Sequence, residues 1–445
     1  MLGQCEQRSK GQAMIPSELP TPEKVQALQR TLNRKAKENP RWRAWSLYGD
    51  LCRRDVLATA LAAVVRNAGA AGVDGVTTET VKAGTIAFLD SLETELRNRA
   101  YRPNPVLRVW IPKADGKQRP LGIPTVKDRV VQTALVLLLQ PVFEADFHEY
   151  SYGYRPGRKA QQALTTICQT IYAGKREVVD ADLSGYFDSI PHAALLREVA
   201  RRVSDGSILG LIKLYLKAPI VEETEGKRKV LPNKSGTPQG GVVSPLLANV
   251  YLNDLDHKVN GNRKLHAKLV RYADDLVIVC PAGRGPALYA RLKAYLARKG
   301  LSLNEAKSRC LNVERENFQF LGFDASWRHS RFTGRGFTYV EPSRKAQMRL
   351  RDAVRGELNH WTRWRSCAEA VRRVNRITRG WANYYHFMSC TEVFCRMNGF
   401  VEKRLRRWLY RKYDRTLGKH TFFTSERLYG QYQLWKLPTT AGWTR

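Results

Sequence analysis

The stretch that decides the fold spans residues 268–280 and reads KLVRYADDLVIVC. Two β-prone apolar runs flank a short polar turn that contains Asp274 and Asp275, and this pattern predicts strand, tight turn, strand. Two adjacent ionised carboxylates on a buried hairpin repel each other unless a cation lies between them. Mg²⁺ suits such a position because it prefers hard oxygen ligands. A solvated Asp-Asp turn is the alternative, and this stretch alone does not decide between the two.

A second acidic segment lies about 90 residues upstream, at residues 177–188, and reads EVVDADLSGYFD. On the strand predicted for residues 177–183, Asp180 and Asp182 point to the same face. Two-metal phosphoryl transfer needs carboxylates from separate strands that bridge two cations about 3.5–4 Å apart. Ordinary Asp pKa values of about 4 keep these side chains ionised at neutral pH. The pair of segments therefore favours the metal site.

The charge of the chain limits its possible partners. The 445 residues include 75 Lys and Arg against 41 Asp and Glu, which gives a net charge of +34. A charge of this size favours a polyanionic partner, and nucleic acid is the commonest one. A basic membrane-surface protein is the rival hypothesis, but no long amphipathic basic helix supports it.

Signals for membranes, secretion and metal clusters are weak. No segment is as long and apolar as a transmembrane helix, and the N-terminal residues lack the apolar core of a signal peptide. The eight cysteines form no C-x-x-C pair, so neither a zinc module nor a disulfide framework is indicated. We expect a cytoplasmic protein with no membrane partner.

The order of predicted elements indicates an α+β fold. Apolar periodicity predicts helices over residues 54–67 and from Lys127 to about Gln140, and a further helix that begins at Pro191. Residues 106–124 predict a hairpin around Asp115-Gly116. Helices mixed with antiparallel hairpins favour α+β over a doubly wound parallel sheet. Residues 341–445 carry 23 Lys and Arg against 8 Asp and Glu, and this change places a domain boundary near 335–342.

The two acidic segments belong to an ordered set of motifs, over roughly residues 25–430, that resembles the reverse transcriptases of the bacterial group II intron-encoded type. The motifs are Gly72–Gly75, the hairpin residues 111–124, residues 151–158 (SYGYRPGR), Asp182 to Phe187, residues 236–241 (GTPQGG), residues 244–249 (SPLLAN), Tyr272–Asp275, residues 320–323 (FLGF) and residues 379–385 (RGWANYY). The resemblance implies a right-hand polymerase with fingers, palm and helical thumb, preceded by a helical N-terminal extension. The extension and the start of the fingers would occupy residues 1–100, the fingers and palm 101–335, and the helical thumb or maturase domain 336–445.

The resemblance also implies roles for the acidic residues. Asp182, Asp274 and Asp275 would be catalytic and would hold two Mg²⁺ ions, for which Mn²⁺ could substitute. Asp182 and Asp274 would be the principal ligands, and Asp275 would be the third carboxylate. Asp180 is interpreted as structural, and Asp188 as a residue that caps or hydrogen-bonds locally.

Nucleotide and primer residues follow from the same resemblance. Phe187 would lie under the incoming sugar and exclude a 2′-hydroxyl, although a lone Phe would otherwise be assigned to the core. The other implied nucleotide-binding residues are Lys113, Arg119 and Gln239. The implied primer–template residues are Leu321, Gly322 and Lys307.

Basic and aromatic residues alternate in the C-terminal region. Cations neutralise phosphates and aromatic rings stack on unpaired bases, so this pattern is typical of RNA binding. The alternative is a helical core with a solvated basic rim, and we expect Trp381 mainly in the core. The predicted RNA-binding residues are Arg363, Arg372, Arg376, Arg379, Arg404 and Arg407.

The implied function is an RNA-directed DNA polymerase that binds its intron RNA to assist splicing and copies it during retrohoming. Its partners would be structured intron RNA, an RNA template with a DNA primer, dNTPs and target DNA, and the sequence predicts no oligomeric state. One alternative is a domesticated or defence-associated relative. A splicing cofactor with an inactive polymerase is disfavoured by the intact aspartates, and an RNA-copying RNA polymerase by Phe187. We expect no HNH endonuclease domain, because the cysteines lack its spacing.

Overall fold

The computed structural model describes residues 22–112, 116, 118–224, 227–413 and 422–441. They fall into two compact units, one within residues 1–166 and 179–310, the other within residues 167–178 and 311–445. Helices and strands are mixed throughout, so the α+β class is confirmed. In the described part of the chain no helix is long and apolar enough to cross a membrane.

The first unit opens with a helical region that packs around one long helix. Its helices are α1 Glu23–Glu38, α2 Leu47–Leu51, α3 Arg54–Asn67, α4 Thr78–Ala83, α5 Thr85–Arg97 and α6 Val126–Glu144. The helix predicted over residues 54–67 is confirmed as α3, which buries Val56, Leu57 and Leu61 and packs on α6. Burial of this apolar face, rather than helix propensity alone, holds such short helices in place.

Helix α6 is longer than predicted, because it continues past Gln140 through Pro141. Proline has no N–H and leaves the carbonyl four residues earlier without its helical donor. That carbonyl belongs to Leu137, and Gln29 of α1 donates its side-chain amide to it at 2.9 Å. A neighbouring helix therefore supplies the missing hydrogen bond, and the helix runs on for one more turn.

The predicted hairpin at residues 106–124 is confirmed as strands β1 Val106–Pro112 and β2 Gln118–Ile123. Its turn residues Lys113, Ala114, Asp115 and Lys117 lie outside the described residues. Two unpredicted strands, β4 Ile220–Thr224 and β5 Lys227–Leu231, extend it to a four-stranded sheet of order β2-β1-β4-β5. Strand β4 pairs in parallel with β1 from a position more than a hundred residues away, which a local pattern cannot reveal.

A second sheet, of order β6-β7-β3-β8, carries the acidic segments. Strand β3, Glu177–Asp182, confirms the predicted strand, and β6 and β7, Lys268–Tyr272 and Asp275–Cys280, confirm the predicted hairpin. The remaining elements of this region are α7 Ala160–Tyr172, α8 Tyr186–Ser189, α9 His192–Ala200, α10 Gly206–Lys217, α11 Ser244–Asn260, α12 Gly285–Arg298 and β8 Arg309–Asn312. Helix α9 follows Pro191 as predicted, with that proline at its N-cap.

The second unit contains a three-stranded sheet and a group of helices. Its elements are β9 Phe318–Phe320, β10 Phe323–His329, β11 Gly336–Pro342, α13 Arg344–Glu357, α14 Cys367–Tyr385, α15 Thr391–Tyr413 and α16 Ser425–Tyr429. The helices share an apolar core that includes Phe394, Leu405 and Trp408. Trp381 is half-buried and packs against this core, as expected, and donates its indole N–H to the Ala346 carbonyl at 3.3 Å.

Candidate functional site

The acidic turn is a two-residue loop between β6 and β7. Tyr272 and Asp275 pair across the strands, so Ala273 and Asp274 form the loop itself. Ala273 has φ of +59°, a left-handed conformation that residues with a Cβ rarely adopt. The turn is therefore strained and needs support from its surroundings.

A buried arginine provides that support. Arg271 is fully buried and forms an ion pair with the equally buried Asp256 of α11 at 2.6 Å. Its other guanidinium N–H groups donate to the Asn249 side chain at 2.7 Å and to the Ala273 carbonyl at 3.1 Å. Burial by itself would lower the pKa of Arg271, but the charge of Asp256 and its hydrogen bonds raise it, so the guanidinium stays ionised. The network fixes the strained residue against α11.

Asp182 lies at the end of β3, which is the hydrogen-bonded neighbour of β7 in the sheet. Asn304 donates its side-chain amide to the Asp182 carboxylate at 3.2 Å, and the Lys307 ammonium lies 3.4 Å from the same oxygen. The Ser308 hydroxyl accepts from the Asp182 backbone N–H at 3.1 Å. The structure thus places Lys307, a predicted primer–template residue, directly beside the Asp182 carboxylate.

Asp180 lies two residues before Asp182 on β3, on the same face of the strand. The pKa of its carboxyl is raised to about 6, mainly by burial, while Arg309, at 3.9 Å, lowers it and the Asp182 charge adds to the rise. This environment suits the structural role expected of Asp180.

Two tyrosines connect the β6–β7 turn with the segment after β3. Burial raises the pKa of Tyr154 to about 12, and the charge of Asp274 contributes to the shift. Asp274 acts in the same direction on fully buried Tyr186, four residues after Asp182. Asp274 therefore lies close enough to the segment after Asp182 to interact electrostatically with Tyr186.

The three aspartates of the candidate site have the ligand chemistry that a hard divalent cation needs. Asp182, Asp274 and Asp275 offer only carboxylate oxygens, the ligands that Mg²⁺ prefers. Within the described ranges, no three Asp, Glu, His or Cys side chains lie together in a group that could already hold a metal ion. The structure thus shows the carboxylates on neighbouring strands but not in a closed ligand cage.

A chain of hydrogen bonds links three separate elements beside the carboxylates. Arg119 of β2 donates from Nε to Gln239 Oε1 at 2.9 Å, and Gln239 Nε2 donates to Asp188 Oδ2 at 2.9 Å. The structure therefore brings together Arg119 and Gln239, two of the predicted nucleotide-binding residues. Lys113, which was also predicted to bind the nucleotide, lies outside the described residues.

The loop that carries Gln239 is clamped between the hairpin and the segment after β3. The Gly122 N–H donates to the Gln239 carbonyl, and a Cβ at Gly240 would lie 2.1 Å from the Gly122 carbonyl oxygen. On the other side, the Thr237 N–H donates to the Phe187 carbonyl at 2.6 Å. The close approach at Gly240 explains why the loop requires glycine there.

Phe187 is buried, 7% exposed, and its ring contacts two aromatic neighbours. It lies edge-on to Tyr154 at 6.4 Å and to Tyr186 at 5.6 Å between ring centroids. These contacts hold the ring beside the Gln239 loop.

Leu321 and Gly322 form a left-handed turn in the second unit, with φ of +50° and +82°. Tyr384 donates its hydroxyl to the Leu321 carbonyl at 3.0 Å. A Cβ at Gly322 would lie 2.6 Å from the Tyr385 hydroxyl. Two tyrosines of the 379–385 motif therefore pack onto the 320–323 motif.

The predicted RNA-binding arginines lie on two helices and the loop between α13 and α14. Arg372, Arg376 and Arg379 are exposed at helical spacing on α14, and Arg407 is exposed on α15. Arg363 and Arg404 are half-buried. By contrast, nearby Arg406 is buried and donates to the Phe423 carbonyl at 2.7 Å, which makes it a structural residue.

Three contributors to the site were not identified from the sequence. The prediction of a local role for Asp188 was incomplete, because its carboxylate accepts from Gln239, 51 residues away. Tyr154 was part of a motif without an assigned role, and Arg271 was read as a strand residue. A charged residue inside an apolar strand, as Arg271 is, was the one signal that pointed to a buried ion pair.

Comparison with known proteins agrees with this geometry. Residues 111–325 match the family model described as reverse transcriptase (RNA-dependent DNA polymerase), and residues 347–425 match the group II intron, maturase-specific domain. The reverse transcriptase match contains both acidic segments, the Gln239 loop and the part of the β1–β2 hairpin from Ile111 onward. The fold and the site thus define a reverse transcriptase.

Individual relatives narrow the family. Protein YkfC of Escherichia coli is 32% identical over 362 residues, which cover 73% of this chain and 94% of YkfC. Group II intron-encoded protein LtrA of Lactococcus lactis is 36% identical over 211 residues, 47% of this chain and 34% of LtrA. Nuclear intron maturase 2 of Arabidopsis thaliana is 31% identical over 166 residues, 29% of this chain and 22% of that protein. The chain belongs to the group II intron-encoded reverse transcriptases that carry a maturase domain, and the domesticated alternative is not favoured.

Proposed function

We propose that this chain copies group II intron RNA into DNA and also binds that RNA to assist its splicing. The observation that carries the polymerase proposal is the placement of Asp182 and the Asp274-Asp275 turn on neighbouring strands β3 and β7. The Arg119–Gln239–Asp188 chain beside them supplies groups suited to a nucleoside triphosphate.

In the proposed architecture, the elements form a right-hand polymerase. Residues 1–100 are the N-terminal extension and the start of the fingers, and the β1–β2 hairpin belongs to the fingers. The sheet with β3, β6 and β7 is the palm within residues 101–335. Residues 336–445, whose described part is mostly helical, are the thumb or maturase domain.

The acidic residues carry the proposed chemistry. Asp182 and Asp274 are the principal ligands of two Mg²⁺ ions, and Asp275 is the third carboxylate. When bound, these cations lower the pKa of the primer 3′-hydroxyl and stabilise charge on the leaving pyrophosphate. The Arg271–Asp256 ion pair holds the Asp274 turn in its strained conformation, so the carboxylates are placed before substrate arrives.

The remaining residues position the nucleotide. Arg119 and Lys113 bind the triphosphate, whose developing charge is best stabilised by fixed cations. Gln239 orients Arg119, and Phe187 packs under the sugar, where a 2′-hydroxyl would collide with its ring. The substrates are therefore dNTPs on an RNA template with a DNA primer, and cDNA would be made at a target DNA during retrohoming.

The experiment that tests this function measures dNTP incorporation on an RNA template with a DNA primer. Asp274→Asn removes a charge and should abolish Mg²⁺-dependent extension, whereas the exposed Asp90→Asn should retain it. The Asp90 side chain is 64% exposed and forms a surface ion pair with Arg54 at 2.7 Å. Full activity of Asp274→Asn would refute the assignment of the acidic turn to catalysis.

A further inference from the structure

A shallow open cleft in the second unit is lined by four arginines. It lies between the short 3₁₀ helix His360–Thr362 and helix α15, and its basic lining residues are Arg363, Arg404, Arg407 and Arg411. Among its described lining residues there is no Asp or Glu. Cationic side chains that line one cleft without a carboxylate repel each other, and a bound anion would relieve this repulsion.

One of the lining arginines, Arg404, has an unsatisfied buried hydrogen-bond donor. Its Nε atom is buried and has no hydrogen-bond partner among the described residues. Burial lowers the pKa of its guanidinium, and the charges of Arg407, Arg355 and Arg411 lower it further. A buried donor without a partner is costly, and a phosphate in the cleft would supply the negative charge that the neighbouring arginines lack.

Two exposed tryptophans lie next to this cleft in the chain. Trp361 and Trp364 flank Arg363 and are 81% and 76% exposed. The Arg365 guanidinium lies over the Trp364 ring, 5.5 Å from its centroid, and Trp361 lies edge-on to His360. At these exposures neither ring is buried in the helical core. Large aromatic rings at this exposure mark a binding surface, and next to a phosphate site their faces suit nucleobases.

We propose that the cleft and the two tryptophans form a site for an unpaired RNA nucleotide. The four arginines bind the phosphate, and Trp361 or Trp364 stacks on the base that is flipped out or looped out. This inference rests on the RNA-binding role proposed above and adds to it a substrate class, because paired bases in a duplex cannot present their faces to a tryptophan.

The test compares two RNA probes of equal length, a 20-nucleotide single strand and a 20-base-pair duplex. Trp361→Ala and Trp364→Ala together should weaken single-strand binding by about tenfold, the scale of one lost base stack, and change duplex binding by less than about twofold. Arg404→Gln with Arg407→Gln should weaken binding of both probes and reduce the slope of log Kd against log salt by about 1–2.

Matched controls come from the β10–β11 hairpin of the same unit. Phe332→Ala removes a 99% exposed ring, and Arg331→Gln removes an exposed cation, both outside the cleft. These controls should keep the wild-type preference. Circular dichroism and thermal unfolding check that each variant is folded. If the double arginine variant unfolds, the single variant Arg407→Gln replaces it, because Arg407 is exposed.

The outcomes separate this inference from the proposed function. Loss of single-strand preference in the tryptophan variant supports the site. If the wild-type protein extends primers and binds RNA, two results overturn the site and leave the polymerase proposal intact. In the first, the tryptophan variant loses single-strand and duplex binding equally, and in the second, it binds both probes as the wild type does. Wild-type protein that fails to extend primers refutes the polymerase proposal whatever the binding results are.

Discussion

At the scale of single residues, the arrangement of Gln239 is fixed by the chemistry of its two neighbours. Arg119 can only donate and the ionised Asp188 can only accept, so the amide has one orientation that satisfies both. Asp188 therefore acts on Arg119 through Gln239 and is a positioning residue for the proposed nucleotide site.

Asp188→Ala should raise the KM for dNTP by about fivefold, roughly 1 kcal/mol, because Gln239 would no longer be held. The kcat should change little, since Asp188 does not touch the reacting atoms. Asp188→Asn keeps an acceptor oxygen and should recover most of the loss. Steady-state kinetics that show a fall in kcat with KM unchanged would contradict the positioning role.

Phe187→Val should admit ribonucleotides, because the smaller side chain leaves room for a 2′-hydroxyl beside the sugar. The measurement is the ratio of rNTP to dNTP incorporation on one primed template. We expect this ratio to rise by an order of magnitude or more, since removing a steric clash of about 1.4 kcal/mol changes a rate tenfold. An unchanged ratio would assign Phe187 to the core alone.

Gly322→Ala should destabilise the second unit by more than Gly334→Ala. Both glycines have positive φ, +82° and +66°, so each alanine should cost about 1–2 kcal/mol in backbone strain. Only at Gly322 would the new Cβ also meet an atom, the Tyr385 hydroxyl at 2.6 Å, whereas nothing lies within 4 Å at Gly334. Urea unfolding that gives equal losses for the two variants would show that the Tyr385 contact is unimportant.

At the scale of elements, the β6–β7 hairpin depends on one buried ion pair. Asp256→Ala would leave Arg271 buried without a counter-charge and should cost about 3–5 kcal/mol of stability. The surface pair Arg34–Glu38, with side chains 64% and 61% exposed, is the control, and Glu38→Gln should cost less than about 0.5 kcal/mol. Denaturant midpoints of the two variants that differ little would contradict the importance of the ion pair.

Elements defined by local patterns were predictable from the sequence. The β6–β7 hairpin, strand β3 and helix α3 follow from apolar periodicity and turn residues that lie within a few positions of each other. The extension of α6 through Pro141 was not predictable, because it depends on Gln29 more than a hundred residues away. The same reason hid the parallel pairing of β4 with β1 and the contact between Asp188 and Gln239.

At the scale of the whole molecule, the net charge of +34 should dominate RNA binding. Each phosphate neutralised contributes about 0.7–0.9 to the slope of log affinity against log salt, so four or more contacts predict a slope steeper than about −3. Filter binding or fluorescence anisotropy measures this slope over a salt range of about 50–200 mM. Affinity that is insensitive to salt would contradict the electrostatic account.

The proposed polymerase activity requires that Asp182 and Asp274 hold its cations. The most direct measurement is titration of Mn²⁺, followed by its electron paramagnetic resonance signal, in protein bound to an RNA template, a DNA primer and dNTP. We predict about two bound ions for the wild-type complex and the loss of at least one of them in the Asp182→Asn, Asp274→Asn double variant, while Asp90→Asn binds as the wild type does. Equal Mn²⁺ binding by the wild-type protein and the double variant would contradict the claim.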